Sequence, residues 1–397
     1  MRDDLKKIII TDTTIVSSGQ MPYRASVVIE EGIITAISET VPAGLLIKHE
    51  NVEIISGKDH YLTPGLIELH FNGALGCDLN NAKINAIQSM LTQLPQYGIT
   101  SAVLTIITNP LTEMLSAVHT LEAVIHHYNG VGAKPIGIHL EGPFLSTSFP
   151  GVHNQAAVRG IDFSELDLLL SPTVKWVTLS PELSGSTQMI ETLCKRNITV
   201  SAGHTNATHE EIQHAVSVGL NSVTHLFNAC RPFHHREPGL IGTVLADDTV
   251  YVQFIGDGVH IHPQTMKLIL AAKPIEKVLL TSDASPLAGM PPGASGLFTG
   301  NPISVADSGD KVLSADGRLA GSTKLVSGCI KTLLSNHVCT FSQAVQFATS
   351  NVADFLKMPD YGKVDEGMFA DLVLWNKQSL TVEKTLINGN VVYDTQT

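Results

Sequence analysis

The sequence predicts an α/β fold, a (β/α)8 TIM-type barrel with a small β-sandwich domain formed by both chain termini. Three observations predict it. Eight buried apolar runs of strand length, bounded by turn residues, occupy the middle of the chain. Most intervals between them carry helical patterns; strands alternating with helices pair in parallel, and eight of them close into a barrel. The two ends instead hold short β runs without long helices.

The strand runs are 62–70, 99–106, 135–141, 174–180, 198–204, 221–226, 250–256 and 277–283. Between them, residues 110–127 place Leu111, Met114, Leu115, Val118, Leu121 and Val124 at helical spacing, and 208–219 open on Thr208-His209-Glu210-Glu211, a capping box. Residues 262–272 and 322–335 also read as helices, whereas the interval before 174 carries the faintest helical pattern. At the amino end Ile8–Ile10, Ala25–Glu30 and Ile33–Ile37 read as strands, with Glu31-Gly32 as a hairpin turn. At the carboxyl end Asp371–Trp375 and Leu386–Tyr393 repeat the theme, and Asn388-Gly389 is a strong hairpin signal. Neither end buries much of a core alone, so both are expected to build one sandwich, from 1–58 and 359–397, with the barrel, 59–358, inserted between them.

Composition removes other classes. A net charge of −12 argues against nucleic acid or an anionic membrane as partner. It leaves room for an anionic substrate, because a local Arg/His cluster outweighs distant charge. Met1–Lys7 lacks the apolar core of a signal peptide, and no run is long enough to span a bilayer. The cysteines, Cys77, Cys194, Cys230, Cys329 and Cys339, are odd in number and show no CxxC pairing, which suits a reducing cytoplasm.

The chemistry-bearing residues gather at the strand ends, the face on which such barrels build active sites. By alternation along a strand, Val200, Ala202 and His204 share one face, as do Val223 and His225. The run Pro135–Leu140 ends in Glu141, Val278–Ser282 ends in Asp283, Val252–Ile255 leads to Asp257 and His260, and the first strand carries His70-Phe71-Asn72. A carboxylate with two imidazoles suits Zn²⁺, with Fe²⁺ or another divalent ion as alternatives, and three protein ligands leave a position for water. Singly, a strand-end histidine is more often a hydrogen-bonded structural group and a strand-end aspartate a helix cap. Four such groups at four strand ends would be a costly coincidence for a core. His126, His127 and His209, on helices, read as solvated surface.

The segments LTPGLIELHFNG, GIHLEGPF, GVHNQAAVR, TLSPE, VSAGHTNAT, THLFNA, HHREPGLIG, DGVHI, TSDAS and GRLAGS, in this order from Leu62 to Ser322, resemble the N-acetylglucosamine-6-phosphate deacetylases of the amidohydrolase superfamily. The resemblance implies the barrel with its terminal sandwich, usually as a homodimer, acting on an amino-sugar phosphate. It implies one divalent metal per chain on Glu141, His204 and His225, with Asp283 as acid/base and His260 polarising the acetamide carbonyl. It also implies that Asn228, Ala229 and Arg236 hold the phosphate, that His153 contacts the sugar, and that Leu319, Ala320 and Gly321 line the pocket. Arg236 has independent sense, since a guanidinium grips phosphate in bidentate fashion, in its own or the neighbouring subunit. The expected products are glucosamine 6-phosphate and acetate.

One position departs from the wider superfamily, many members of which carry His-x-His on the first strand. Here Asn72 stands in place of the second imidazole, so a single tightly held metal is expected, with a weak second site at His70 left open. Other amidohydrolases that bridge two metals with a fourth-strand lysine are disfavoured, because that strand ends Leu179-Ser180-Pro181-Glu182. A silent scaffold would have no use for Asp283 beside a ligand set. The galacto epimer, N-acetylgalactosamine 6-phosphate, stays open as an alternative substrate.

Overall fold

The computed structural model describes residues 7–39 and 52–396. Eight parallel strands form the barrel: β1 (Leu66–Glu68), β2 (Ile99–Ile107), β3 (Lys134–Glu141), β4 (Val174–Leu179), β5 (Thr199–Ala202), β6 (Ser222–Val223), β7 (Tyr251–Ile255) and β8 (Val278–Thr281). They are hydrogen-bonded in chain order from β1 to β8. β2, ITSAVLTII, is buried at every position, as a parallel strand covered on both faces should be. A helix follows each strand, including Leu111–His126, His209–Ser217, Pro263–Ala272 and Val326–Ser335 close to the expected positions. His209–Ser217 opens on the expected capping box, Thr208 with Glu211. The faint interval before β4 holds Phe163–Leu169, a short helix capped by the Asp162 carboxylate, which accepts from the amides of Ser164 and Glu165.

The seam between β1 and β8 carries no ladder. It is closed by a bridge between Phe71 and Ala284, by the Thr281 hydroxyl donating to the His70 carbonyl at 3.0 Å, and by Glu68. That fully buried carboxylate accepts from the Ser282 hydroxyl at 2.7 Å and from the Val326 amide, at the start of the last barrel helix, at 2.9 Å.

The terminal pieces build one sheet from both ends. Lys7–Ile15, Tyr23–Glu30, Ile33–Ser38, Val52–Ser56 and His60–Pro64 join Leu372–Asn376, Val382–Ile387 and Asn390–Asp394, and His60–Pro64 pairs antiparallel with Leu372–Asn376. The run expected as one strand over 62–70 is thus divided at Gly65: its first part belongs to this sheet and only Leu66–Glu68 to the barrel. Both expected hairpins form, and their turns meet. Glu31, Gly32, Asn388 and Gly389 all take positive φ, and a Cβ on Gly32 would lie 2.9 Å from the Asn388 carbonyl oxygen. Sheet and barrel are pinned by the buried Lys134, whose Nζ lies 2.8 Å from the Asp371 carboxylate and donates to Asn388 Oδ1 at 2.7 Å.

One element was not expected. Ser295–Phe298, Asn301–Val305 and Val312–Ser314 form a three-stranded antiparallel sheet between β8 and the last barrel helix. The residues read for a signal peptide, 1–6, lie outside the described residues; no helix among those described is long and apolar enough to cross a membrane.

Candidate active site

β5 ends at Ala202 and β6 at Val223. His204 and His225 therefore lie past their strands, and alternation along the strand does not aim them. Their backbones turn into the left-handed region instead, φ +49° and +32°, and Asp283 beyond β8 does the same at +47°. Such conformations are disfavoured for residues with a Cβ and cluster at functional sites. Here they swing three side chains over the mouth of the barrel.

Glu141, at the end of β3, is the centre of the cluster. Its Oε1 lies 2.8 Å from His225 Nε2 and 3.2 Å from His204 Nε2, and the two imidazole nitrogens are 3.1 Å apart. Its Oε2 lies 3.3 Å from His70 Nε2 and 3.4 Å from His153 Nε2. The donor atoms of Glu141, His153 and His204 also lie within 4.8 Å of one another, so geometry alone offers two ligand triads.

Hydrogen bonding separates them. His204 Nδ1 donates to the Phe149 carbonyl at 2.9 Å, which leaves the Nε2 lone pair facing Glu141 and His225. His153 Nδ1 instead accepts from the Thr108 amide at 3.1 Å, so its Nε2 carries the proton and acts as a donor. His225 Nδ1 has no hydrogen-bond partner among the described residues, so no protein group fixes its tautomer. Gln253, on β7, holds the surroundings: its Oε1 accepts from the His225 amide at 2.9 Å and from His70 Nδ1 at 3.3 Å.

The electrostatics favour a cation. Burial alone would raise the Glu141 carboxyl, but the charge of His70 and the bonds from His153 and His204 hold it well below the usual carboxylate range. Burial likewise opposes charge on His70, yet Glu141 and Asp283 push that imidazole up to about 9. His204 is lowered, by burial first and then by His153, and so stays neutral as a ligand must. The His260 side chain is largely shielded, which opposes its charge, but the Asp257 carboxylate, 2.7 Å from its Nδ1, raises it, with Asp283 adding to the effect.

A cavity opens over these groups, lined by Glu141, His153, His204, His225, Asn228, Ala229, His260, Asp283, Leu319 and Gly321, with Asn72, Ile107, Val152 and Phe298. All but two of the sequence-predicted site residues thus meet in one place. Ala320 is buried behind the wall and lines the adjoining cleft under the three-stranded sheet. Arg236 does not reach the cavity of its own chain. It sits exposed in the loop after β6, its guanidinium 3.1 Å from His235 Nε2. Asn72, Gln253 and Asp257 were not assigned roles from the sequence, where a lone amide or carboxylate near a strand end reads as an ordinary turn residue.

A model of the amidohydrolase family matches residues 61–392. The chain is 32% identical over 395 residues to an N-acetylglucosamine-6-phosphate deacetylase of Bacillus subtilis (strain 168), covering 98% of each. It is 29% identical to an N-acetylgalactosamine-6-phosphate deacetylase of Shewanella sp. (strain ANA-3), covering 100% of this chain and 99% of that one. Among solved structures, a mutant N-acetyl-D-glucosamine-6-phosphate deacetylase of Mycobacterium smegmatis, in complex with N-acetyl-D-glucosamine-6-phosphate, superposes with a TM-score of 0.88 at 26% identity, covering 98% of this chain and 100% of that one. With the family's span reaching from the last strand before the barrel to the final hairpin, the chain belongs to the amidohydrolase family.

Proposed function

We propose that this chain hydrolyses the acetamide of N-acetyl-D-glucosamine 6-phosphate to D-glucosamine 6-phosphate and acetate. The observation that carries this reading is the convergence of Glu141 Oε1, His204 Nε2 and His225 Nε2 within 3.2 Å of one another beside the Asp283 carboxylate. The donor set fits one divalent ion, zinc by its mixture of nitrogen and oxygen, with iron or another divalent metal as the alternative. Held there, such an ion would supply acidity to bound water, bringing its pKa down to about 7.

The remaining steps belong to the side chains. Asp283 takes a proton as water oxygen bonds to the acetamide carbon, then delivers that proton to nitrogen as the C–N bond breaks, so the amine leaves neutral. His260 Nδ1 is committed to Asp257, whose carboxylate favours the protonated ring and so an Nε2–H to offer to the carbonyl oxygen as charge develops there. His153, Leu319, Ala320 and Gly321 shape the sugar site, and Asn228 with Ala229 receives the phosphate. The exposure of Arg236 favours its acting on the phosphate of a neighbouring subunit, in a homodimer. The cysteines all stand as free thiols, which suits a cytoplasmic enzyme.

Full-length similarity to an N-acetylgalactosamine-6-phosphate deacetylase favours the galacto epimer as a second reading. Acetate release from both epimers, each with and without the 6-phosphate, decides between them. The expected result is the highest kcat/KM on N-acetylglucosamine 6-phosphate. A metal-loaded protein that releases no acetate from any of the four sugars would sink the proposal.

A further inference from the structure

Asn72 marks the place where an imidazole is missing from the first strand, and the structure gives it a use of its own. Its backbone is fixed on both sides: the amide donates to the Ala284 carbonyl at 2.9 Å, and the carbonyl accepts from Leu79 at 3.1 Å. The side chain is 2% exposed and lines the cavity. Its Nδ2 donates to Oδ1 of Asp283 at 2.9 Å, and His70 Nε2 lies 3.5 Å from the same oxygen. Oδ2 of Asp283 makes no hydrogen bond to any described residue. The Oδ1 of Asn72 is buried and equally without a partner.

Asp283 needs such a neighbour because its left-handed backbone gives it no strand geometry to lean on. The bridge between Phe71 and Ala284 places the ends of β1 and β8 side by side, so Asn72 and Asp283 are carried on one rigid junction. An amide N–H is also a donor at every pH. It caps Oδ1 permanently, which a histidine in the same place would do only in some protonation states.

We propose that Asn72 is the positioning residue of Asp283, capping Oδ1 so that Oδ2 alone is presented to take the proton from water and return it to the departing nitrogen. The inference rests on the hydrolytic reading above. A carboxylate free to turn about its last bond spends part of its time misaimed, and fixing it in advance contributes to the rate without contributing to substrate affinity.

The test uses purified, metal-loaded wild type, N72A, N72D, D283N and the N72A/D283N double variant, with metal content, thermal stability and steady-state kinetics on N-acetylglucosamine 6-phosphate measured for each. N72A should keep one equivalent of metal and a KM within about threefold of wild type while kcat falls roughly 10–100-fold, the range of a lost hydrogen bond to a charged group. N72D preserves shape but has no N–H and sets a second carboxylate against Oδ1, so its kcat should fall at least as far. It serves for the same comparison should N72A fold poorly. In the D283N background, N72A should cost almost nothing, because it acts only through Asp283. An unchanged kcat in both single variants, a loss confined to KM, or an undiminished loss on top of D283N would each overturn the inference while leaving the deacetylase intact. An inactive wild type would instead remove the hydrolytic reading, and this inference with it.

Discussion

His204, His225 and Asp283 share a backbone state that residues with side chains seldom adopt. Each must therefore be held there by its contacts, and those contacts differ in kind. His225 rests on the Gln253 side-chain oxygen through its amide, His204 on Phe149 through its ring, and Asp283 on Asn72 through its carboxylate. His225→Ala should remove one corner of the proposed ligand triad, and metal analysis of the purified variant should show far less than one equivalent per chain. Asp283→Asn leaves that triad whole; metal content and stability should persist while kcat falls by at least 10²–10⁴-fold, the span typical of a general acid–base group. Near wild-type kcat in a folded, metal-loaded Asn variant would remove Asp283 from the mechanism. At this scale the sequence made the converging side chains legible, because imidazole and carboxylate at four strand ends are conspicuous. The groups that hold them were not: Asn72 and Gln253 gain meaning only from neighbours 211 and 183 residues away.

Among the elements, the barrel strands and most helices could be read from periodicity, and the seam that closes the barrel could not. Glu68 sits in an apolar run and reads as a break in it, yet its carboxylate ties β1 to Ser282 and to the first turn of Val326–Ser335. The small sheet over 295–314 escaped for the opposite reason. Its strands are short and each buries only one or two side chains, which leaves little apolar alternation to detect. Burial pushes the Glu68 carboxyl up to about 7 from the ordinary 4.5, against the bonds from Ser282 and Val326. The folded chain thus binds a proton here that the unfolded chain has released between these two values. Stability from this group must fall as pH rises across that window, and the full cost is present above about 7. Glu68→Gln, which carries no charge at any pH, should flatten the profile, with the variant gaining on wild type by roughly 2–3 kcal/mol between pH 5 and pH 8. Chemical denaturation of both proteins at the two pH values measures this; parallel profiles would show that Glu68 keeps an ordinary pKa.

For the molecule as a whole, the sequence placed both ends in one β domain, whereas the setting of Arg236 emerged only from the structure. Arg236 lies outside its own cavity, on an exposed loop that also carries Phe233, 58% exposed. Arg236→Ala should lower kcat/KM for the 6-phosphate sugar about 10–100-fold and leave the unphosphorylated sugar nearly unaffected. If the arginine serves the neighbouring subunit, mixing Arg236→Ala with Asp283→Asn chains should restore activity, because one site of each mixed dimer then has both groups; additive inactivity would place the arginine in its own site. The pairing of His60–Pro64 with Leu372–Asn376 bears on a different moment in the life of the protein. Some 310 residues separate the partners, and at the usual pace of synthesis the second leaves the ribosome roughly 15–60 s after the first. Throughout that interval the early strands wait with an open edge, the kind of surface that recruits other chains. Closing so long a loop in a disordered chain would cost about 5 kcal/mol in its length-dependent part alone. A barrel that forms first brings both ends to the same side and removes most of that cost, so the nascent chain has reason to build its barrel before it completes the sheet to which its earlier-made strands belong.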